Sequence, residues 1–394
     1  MLASKLSIKG INIILVDKLR TCFENSFSSA AVPINSIKEY PELRDSVSSY
    51  WRTWQIIGPK CNSYQWHSTN SLGAILDFSL LRESLWKKSR KLGVEILLGW
   101  RVLKVISHKN YAEVHLIDQS KTLHVKKVDF VVDATGQARD LLLEDKIQDY
   151  DSNLHSGTGL EWVLRCDTPI YKLWANKLSF LIGPDWVPYG YGWIFPISDN
   201  RLKVGVCSLP PDRNKSPKTN SYFLKKIIEK YFPEGFEVLD KHGGTIRSTY
   251  NMCECHVRGR IFGVGDSIGT ANLLGGEGIR HGIHSACILS DFLYEINKER
   301  IQRPYNEITL ANRYKKRLRP YFNWRWTISN KIGIKTWKQL YGDIAELKIS
   351  SLLNILEAKF TAKDMNSILF DYKFEKFGFK LFKYFLKPVF KEPL

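Results

Sequence analysis

Residues 260–279 constrain the fold more than any other stretch of this chain. Arg260–Val264 is a short run of apolar, β-favouring residues that stops at Gly265-Asp266, and Gly275-Gly276-Glu277-Gly278 then opens a segment of helical periodicity reaching about Asn297. A strand that ends in a glycine and a carboxylate belongs to the carboxyl edge of a parallel sheet, where α/β folds bind their ligands. The glycines let the backbone come close to whatever sits there. The amides at the helix start carry partial positive charge, which suits an oxygen that becomes anionic, such as the N1/C2 edge of a reduced flavin.

The same grammar recurs upstream. Lys127–Ala134 reads as a buried strand turning at Thr135-Gly136, so Val131-Val132-Asp133-Ala134-Thr135-Gly136 is a second tight approach to a ligand. Gly10–Asp17 reads as a strand ending in a carboxylate, preceded by a helical stub over Met1–Lys9. Leu80–Leu92 has helical spacing and stops at Gly93, followed by a strand at Val94–Leu98 and a meander through Val102–Ile106, Ala112–Ile117 and Thr122–Val125. From Thr158 to about Ile246 the chain changes to short aromatic β segments, broken by a loop at Pro210–Thr219. In Pro188-Tyr189-Gly190-Tyr191-Gly192-Trp193-Ile194-Phe195-Pro196, strand alternation puts Tyr191, Trp193 and Phe195 on one face, a wall for an apolar ligand, for one side of a flavin, or for a neighbouring layer.

The fold class implied is α/β, or α+β taken overall: a Rossmann-like nucleotide-binding domain over 1–150 and 250–300, discontinuous and short at its N-terminal edge, a β-rich substrate domain over 151–249, and a basic aromatic helical region over 301–394. The length of 394 residues fits two or three such units. Lys and Arg number 58 against 40 Asp and Glu, a net +18 that favours anionic partners. The last region carries 19 basic and 8 acidic residues, so +11 of that excess, and 18 of the 50 aromatic rings. Seven scattered cysteines suit a reducing compartment, no apolar run approaches a spanning length, and no signal peptide is evident. A cytoplasmic location, either free or at a membrane surface, is therefore expected.

Together, the Ala-Thr-Gly turn, the Gly-Asp turn with its Gly-Gly-Glu-Gly-Ile sequel, and the aromatic strand resemble the geranylgeranyl reductase family of FAD-dependent oxidoreductases, within the flavoprotein superfamily typified by p-hydroxybenzoate hydroxylase. That family's signature P-x-x-Y-x-W-x-F-P is filled at Pro188, Tyr191, Trp193, Phe195 and Pro196. The resemblance covers roughly 1–300. It implies FAD, with Asp17 at the adenosine ribose, Thr135 and Gly136 on the adenosine side, Gly265 and Asp266 at the ribityl or pyrophosphate region, and Gly276, Glu277, Gly278 and Ile279 at the isoalloxazine. It implies an aromatic tunnel for a polyprenyl chain whose carbon–carbon double bonds are reduced, with NADPH, ferredoxin or a quinol as electron donor. Tyr191 is the candidate catalytic hydroxyl. The alternatives on this scaffold are a lycopene cyclase-like enzyme, a monooxygenase, or a non-catalytic remnant. The family's N-terminal strand and glycine turn have no counterpart from Met1 onward; either the chain starts upstream or the site is altered, and the intact motifs after it favour the first.

Smaller signals point less far. Cys253-Glu254-Cys255-His256 lacks a second ligand pair at zinc spacing, so no metal is expected. His281 and His284, with Arg280, read as the surface of the helix after the glycine turn, or as groups facing the ring. Tyr372, Phe374, Phe377, Leu381 and Phe385, interleaved with lysines, read as a basic amphipathic helix that either lies in a lipid interface or packs its rings inward. Nucleic acid is not an expected partner.

Overall fold

The computed structural model describes residues 1–26, 28–143, 154–210, 218–249, 252, 254–299 and 306–377. Parallel strand pairing appears where the glycine-ended runs were read. Ile14–Asp17 pairs in parallel with Glu95–Leu98, and Val131–Asp133 pairs in parallel with Ile261–Gly263, bringing Asp133 beside Gly263. These are two separate ladders, and among the described residues no strand joins them. The helix Phe78–Lys91 feeds the first ladder. Asp77 caps it, its carboxylate accepting from the N–H groups of Ser79 and Leu80 at 3.0 and 3.2 Å. Gly93, at φ +84°, ends it as the sequence indicates.

The expected strand Lys127–Ala134 is divided in two. Leu123–Val128 closes the meander against Ala112–Ile117, whereas Val131–Asp133 turns off to join the parallel ladder. Arg260 sits at the division: its guanidinium donates to the carbonyls of His108, Lys109 and Asp129, tying the meander to the ladder.

A seven-stranded sheet dominates the middle of the molecule, in the order Phe236–Thr249, Leu154–Cys166, Arg201–Ser208, Gly190–Ile197, Lys177–Leu181, Thr53–Ile57, Ser63–His67. Two of its strands come from early in the chain, and Thr53–Ile57 runs parallel to Lys177–Leu181. Two helices that strand patterning did not reveal, Thr168–Trp174 and Asn220–Tyr231, cover one face through Ile194, Val204, Val206, Phe223 and Ile227. On the opposite face Tyr191, Trp193 and Phe195 align with Trp54, Tyr64 and Trp66. Both faces are therefore apolar, which is why the strand Gly190–Ile197 is buried along its whole length.

Helices from residue 306 onward are built into two cores. Glu307–Leu318 packs Leu310, Tyr314 and Leu318 beside Phe262 and Phe292, while Trp324–Gln339, Asp343–Lys359 and Ala362–Leu369 roof the aromatic face with Trp337, Leu353, Leu356 and Met365. Indole N–H groups fasten the roof: Trp54 donates to Asn366 at 2.7 Å, Trp66 to the Leu356 carbonyl at 3.2 Å, and Trp337 to the Leu273 carbonyl at 2.7 Å. Tyr372 and Phe374 are buried in the first core, so these two rings of the aromatic tail turn inward; Leu381 and Phe385 lie outside the described residues. Among the described residues no helix is long and apolar enough to cross a membrane.

The aromatic face depends on glycines opposite its rings. A Cβ on Gly205 would stand 2.2 Å from the Trp193 ring and 2.8 Å from the Leu160 carbonyl oxygen, whereas one on Gly159 would meet nothing nearer than 3.4 Å. Gly205→Ala is expected to lower stability by about 1–3 kcal/mol, and Gly159→Ala by less than half of that, read from urea unfolding midpoints.

Candidate functional site

The two strand ends predicted to converge do so. Beyond the pairing of Asp133 with Gly263, the Val264 N–H donates to the Asp133 carbonyl at 3.1 Å and the Ser267 hydroxyl donates to the same carbonyl at 2.6 Å. Asp133 itself is fully buried. Its carboxylate accepts from the Thr135 N–H and hydroxyl at 2.9 and 2.7 Å, and from the N–H groups of Leu141 and Leu142, both at 2.9 Å. This residue shapes the Ala-Thr-Gly turn, a role that the sequence reading did not assign; an acid immediately before a small-residue turn is the signal that could have found it. Gly136 has φ +71°, and a Cβ there would meet nothing within 4 Å, so the turn lies open on one side, with Thr135 exposed beside it.

Gly265 and Asp266 start the facing turn. The Gly265 N–H donates to the Ser285 hydroxyl at 3.0 Å, and Gly265 packs on Gly282 of the helix Ile279–Glu299 closely enough that a Cβ on Gly282 would lie 3.7 Å from the Gly265 Cα. Asp266 faces Gly278, where a Cβ would lie 3.5 Å from Oδ1. Burial pushes the Asp266 carboxyl up to about 6, with a Thr270 hydrogen bond working the other way. Gly276, at φ +68°, presses on the aromatic strand: a Cβ there would stand 2.6 Å from the Tyr191 hydroxyl. The N–H groups of Gly276 and Gly278 donate to no group among the described residues, and Gly275 is exposed.

An apolar crevice lies where turn and strand meet. Tyr189, Tyr191, Leu209, Ile246, Leu273 and Trp337 line it, and the enclosed space is about 10 Å³, room for one water. Trp193 and Phe195 continue the wall, with Pro188 and Pro196 buried at either end of the signature. Trp193 also carries a polar tie: its indole N–H donates to Glu161 at 2.7 Å, and Glu161 is held in turn by His242 at 3.0 Å. Asp17 ends its strand half-buried, with Oδ1 accepting from the Leu19 N–H at 3.0 Å; it belongs to the other ladder and has no contact with the turns above that the described hydrogen bonds record.

Glu277 does not face outward from its turn. The carboxylate is buried and paired with Arg280, Nε to Oε1 at 2.7 Å and an NH2 group to Oε2 at 2.8 Å, which holds it down at about 2 although burial alone would raise it. His281 is buried too, contrary to its reading as helix surface, and desolvation lowers its pKa so that the ring is neutral at pH 7. His284 is half-buried, stacked on Tyr321 and hydrogen-bonded to the Tyr40 hydroxyl at 2.7 Å. The helical period placed both on one side, but the helices after residue 306 cover that side.

Comparison with known proteins agrees with this architecture. Residues 168–246, which hold the signature strand, match the family described as geranylgeranyl reductase catalytic domain. Over that stretch the chain is similar to the geranylgeranyl reductases, a family of FAD-dependent oxidoreductases. A digeranylgeranylglycerophospholipid reductase of Methanococcoides burtonii is 21% identical over 367 residues, covering 91% of this chain and 85% of that protein. Among solved structures, a geranylgeranyl bacteriochlorophyll reductase-like protein of Thermoplasma acidophilum superposes with a TM-score of 0.80 at 16% identity, over 97% of this chain and 94% of the other. A halogenase solved in complex with FAD shares the fold at a TM-score of 0.64 and 11% identity, over 93% and 83% of the two chains. The family signature therefore sits on the strand that meets the glycine turn.

Asp266 supplies a pH test of this site. Its folded pKa of about 6 lies above the ordinary 3.8, so the folded state loses stability as pH rises from about 4 to 6 and carries the full cost at pH 7. Asp266→Asn is expected to stabilise the flavin-free protein at pH 7 by on the order of 2 kcal/mol, with the advantage disappearing below pH 4 in thermal melts.

Proposed function

We propose that this chain uses FAD to reduce carbon–carbon double bonds of a polyprenyl, geranylgeranyl-type chain. The observation that carries the reading is the contact of Gly276 with Tyr191: the glycine turn meets the aromatic wall directly, at the Tyr191 hydroxyl. The residues fit the cofactor at several points. Gly136 leaves an open approach, Gly276 and Gly278 have N–H groups that would be offered to the pyrimidine edge of the ring, and Gly265 and Asp266 would hold the ribityl or pyrophosphate region, with Ile279 at the helix start and Asp17 assigned to the adenosine ribose. FAD, when bound and reduced, supplies a hydride from N5.

The chain's own residues would position the alkene and exclude water. Tyr191, Trp193 and Phe195 form the wall along which isoprene units would lie, and their burial keeps bulk water away from the reacting carbons. Burial also keeps the Tyr191 hydroxyl protonated, which suits orienting the chain beside the turn. An isoprene chain needs more room than 10 Å³, so the roof must part for entry; Trp337 and Leu273, joined by one hydrogen bond, are the lining groups that would shift. NADPH or ferredoxin would supply electrons, and the apolar substrate makes contact with a membrane surface through the 301–394 region part of the same proposal.

The test starts with purified protein and added FAD. A bound, yellow flavin is expected, and after anaerobic photoreduction a geranylgeranyl lipid should restore oxidised-flavin absorbance with loss of one double bond per flavin. Trp193→Ala should slow that reoxidation about tenfold or more. A cyclised product with the flavin left reduced would overturn the reductase reading in favour of a cyclase, and a protein that retains no flavin would overturn both.

A further inference from the structure

The Glu277 carboxylate lies at the centre of a buried hydrogen-bond chain that neither the family signature nor the aromatic wall requires. Tyr372 donates its hydroxyl proton to Glu277 Oε2 at 3.2 Å. The same hydroxyl lies 2.9 Å from His281 Nε2, and His281 Nδ1 lies 2.9 Å from the Tyr321 hydroxyl. With the imidazole neutral, one proton arrangement satisfies these three contacts, and Nε2 also lies 3.3 Å from Glu277 Oε2. Tyr321 donates to Nδ1, Nε2–H donates to the Tyr372 oxygen, and Tyr372 donates to the carboxylate, so His281 is the neutral Nε2–H tautomer. The Arg280 guanidinium that pairs with Glu277 also donates to the Phe370 carbonyl at 2.7 Å. Thus the segment 370–372 holds both members of the pair that stands in the glycine turn.

Backbone geometry at this segment supports a specific role. Tyr372 has φ +56°, in the left-handed region that is strained for an aromatic residue. It is nonetheless 6% exposed, its ring stacked on His281 with centroids 5.8 Å apart and edge-on to Trp326. A strained backbone persists when its surroundings over-determine it, and here they fix one hydroxyl between an imidazole and a carboxylate. The turn under that hydroxyl is closed at its base by the Asn272 N–H, which donates to the Glu277 carbonyl at 2.8 Å, but it is flanked by open space at Gly275 and its amides at Gly276 and Gly278 have no described partner, so those two amides rely on neighbouring groups for their orientation.

We infer that Tyr372, acting through His281 and the Glu277–Arg280 pair, is a positioning residue for the glycine turn: it holds the carboxylate within the helical layer so that the Gly276 and Gly278 amides stay aimed at the ligand. The consequence for bound flavin rests on the reading proposed above. With the turn held, its amides and a neutralised Glu277 favour a negative charge on the reduced ring. With the Tyr372 hydroxyl gone, the amides loosen and Glu277 is less well screened, and both changes disfavour that charge.

Tyr372→Phe keeps the ring and removes the hydroxyl. In flavin-free full-length protein, amide hydrogens of Gly275–Gly278 are expected to exchange about tenfold faster than in the parent, while amides of the seven-stranded sheet keep their protection. In FAD-loaded protein the reduced form should lose about tenfold in relative affinity, a fall of about 30 mV in the two-electron midpoint potential. Glu277→Gln should raise the potential, and adding Tyr372→Phe to it should leave the potential unchanged. Should Tyr372→Phe fail to fold, Tyr321→Phe is expected to accelerate turn exchange about threefold. Unaltered exchange at the turn in the variant that folds overturns the inference, as does an undiminished potential shift in the Glu277→Gln background. Because exchange is read without flavin, a chain that binds no FAD yet shows faster exchange sinks the functional proposal and leaves the positioning role standing.

Discussion

Side-by-side parallel pairing of Val131–Asp133 with Ile261–Gly263 joins segments some 130 residues apart in sequence at one sheet edge, and the rest of the site is arranged around that junction. Three backbone pairs would be a weak splice by themselves. Asp133 and Ser267 strengthen it: the carboxylate gathers four donors from the turn after its own strand, and the Ser267 hydroxyl reaches back to the Asp133 carbonyl. Both residues are fully buried, so each of these polar groups would be costly if left without its partner. The junction therefore forms as a unit, and it sets the distance between the open turn at Gly136 and the turn at Gly265.

From that junction the helix Ile279–Glu299 carries the geometry onward. It packs Gly282 on Gly265, fills the core below with Leu289, Phe292 and Ile296, and presents Arg280 and His281 to the helices that follow. Those helices have two tasks. One set closes the aromatic face of the seven-stranded sheet through Trp337, Leu353 and Met365, and the segment around Tyr372 meets the glycine turn from the other side. An apolar wall and a polar turn thus lie within one contact of each other, under a single roof.

Burial has opposite electrostatic results at the two acids of the site. Asp266 has a hydroxyl for company and is pushed up to about 6, whereas Glu277 has a guanidinium and is held near 2. Desolvation acts on both, and the fixed partner charge decides the sign. The compensated carboxylate stands in the glycine turn itself, and the one without a partner charge faces Gly278.

Much of this was legible in the amino-acid sequence. Strand ends at Asp17, Gly136 and Gly265, the helix stop at Gly93 and the shared face of Tyr191, Trp193 and Phe195 follow from local rules, because backbone conformation and side-chain alternation are set within a few residues. The signature from Pro188 to Pro196 carried the resemblance to the geranylgeranyl reductases on a single strand, within the stretch that matches their catalytic domain. What the sequence could not determine is which surfaces meet. Two early strands join the middle sheet, the run Lys127–Ala134 divides because its halves pair in different ladders, and His281 is buried because helices beginning nearly thirty residues later cover it. Periodicity reports that a helix has two sides; only tertiary packing decides which side water reaches, since the partner that excludes it comes from a distant part of the chain.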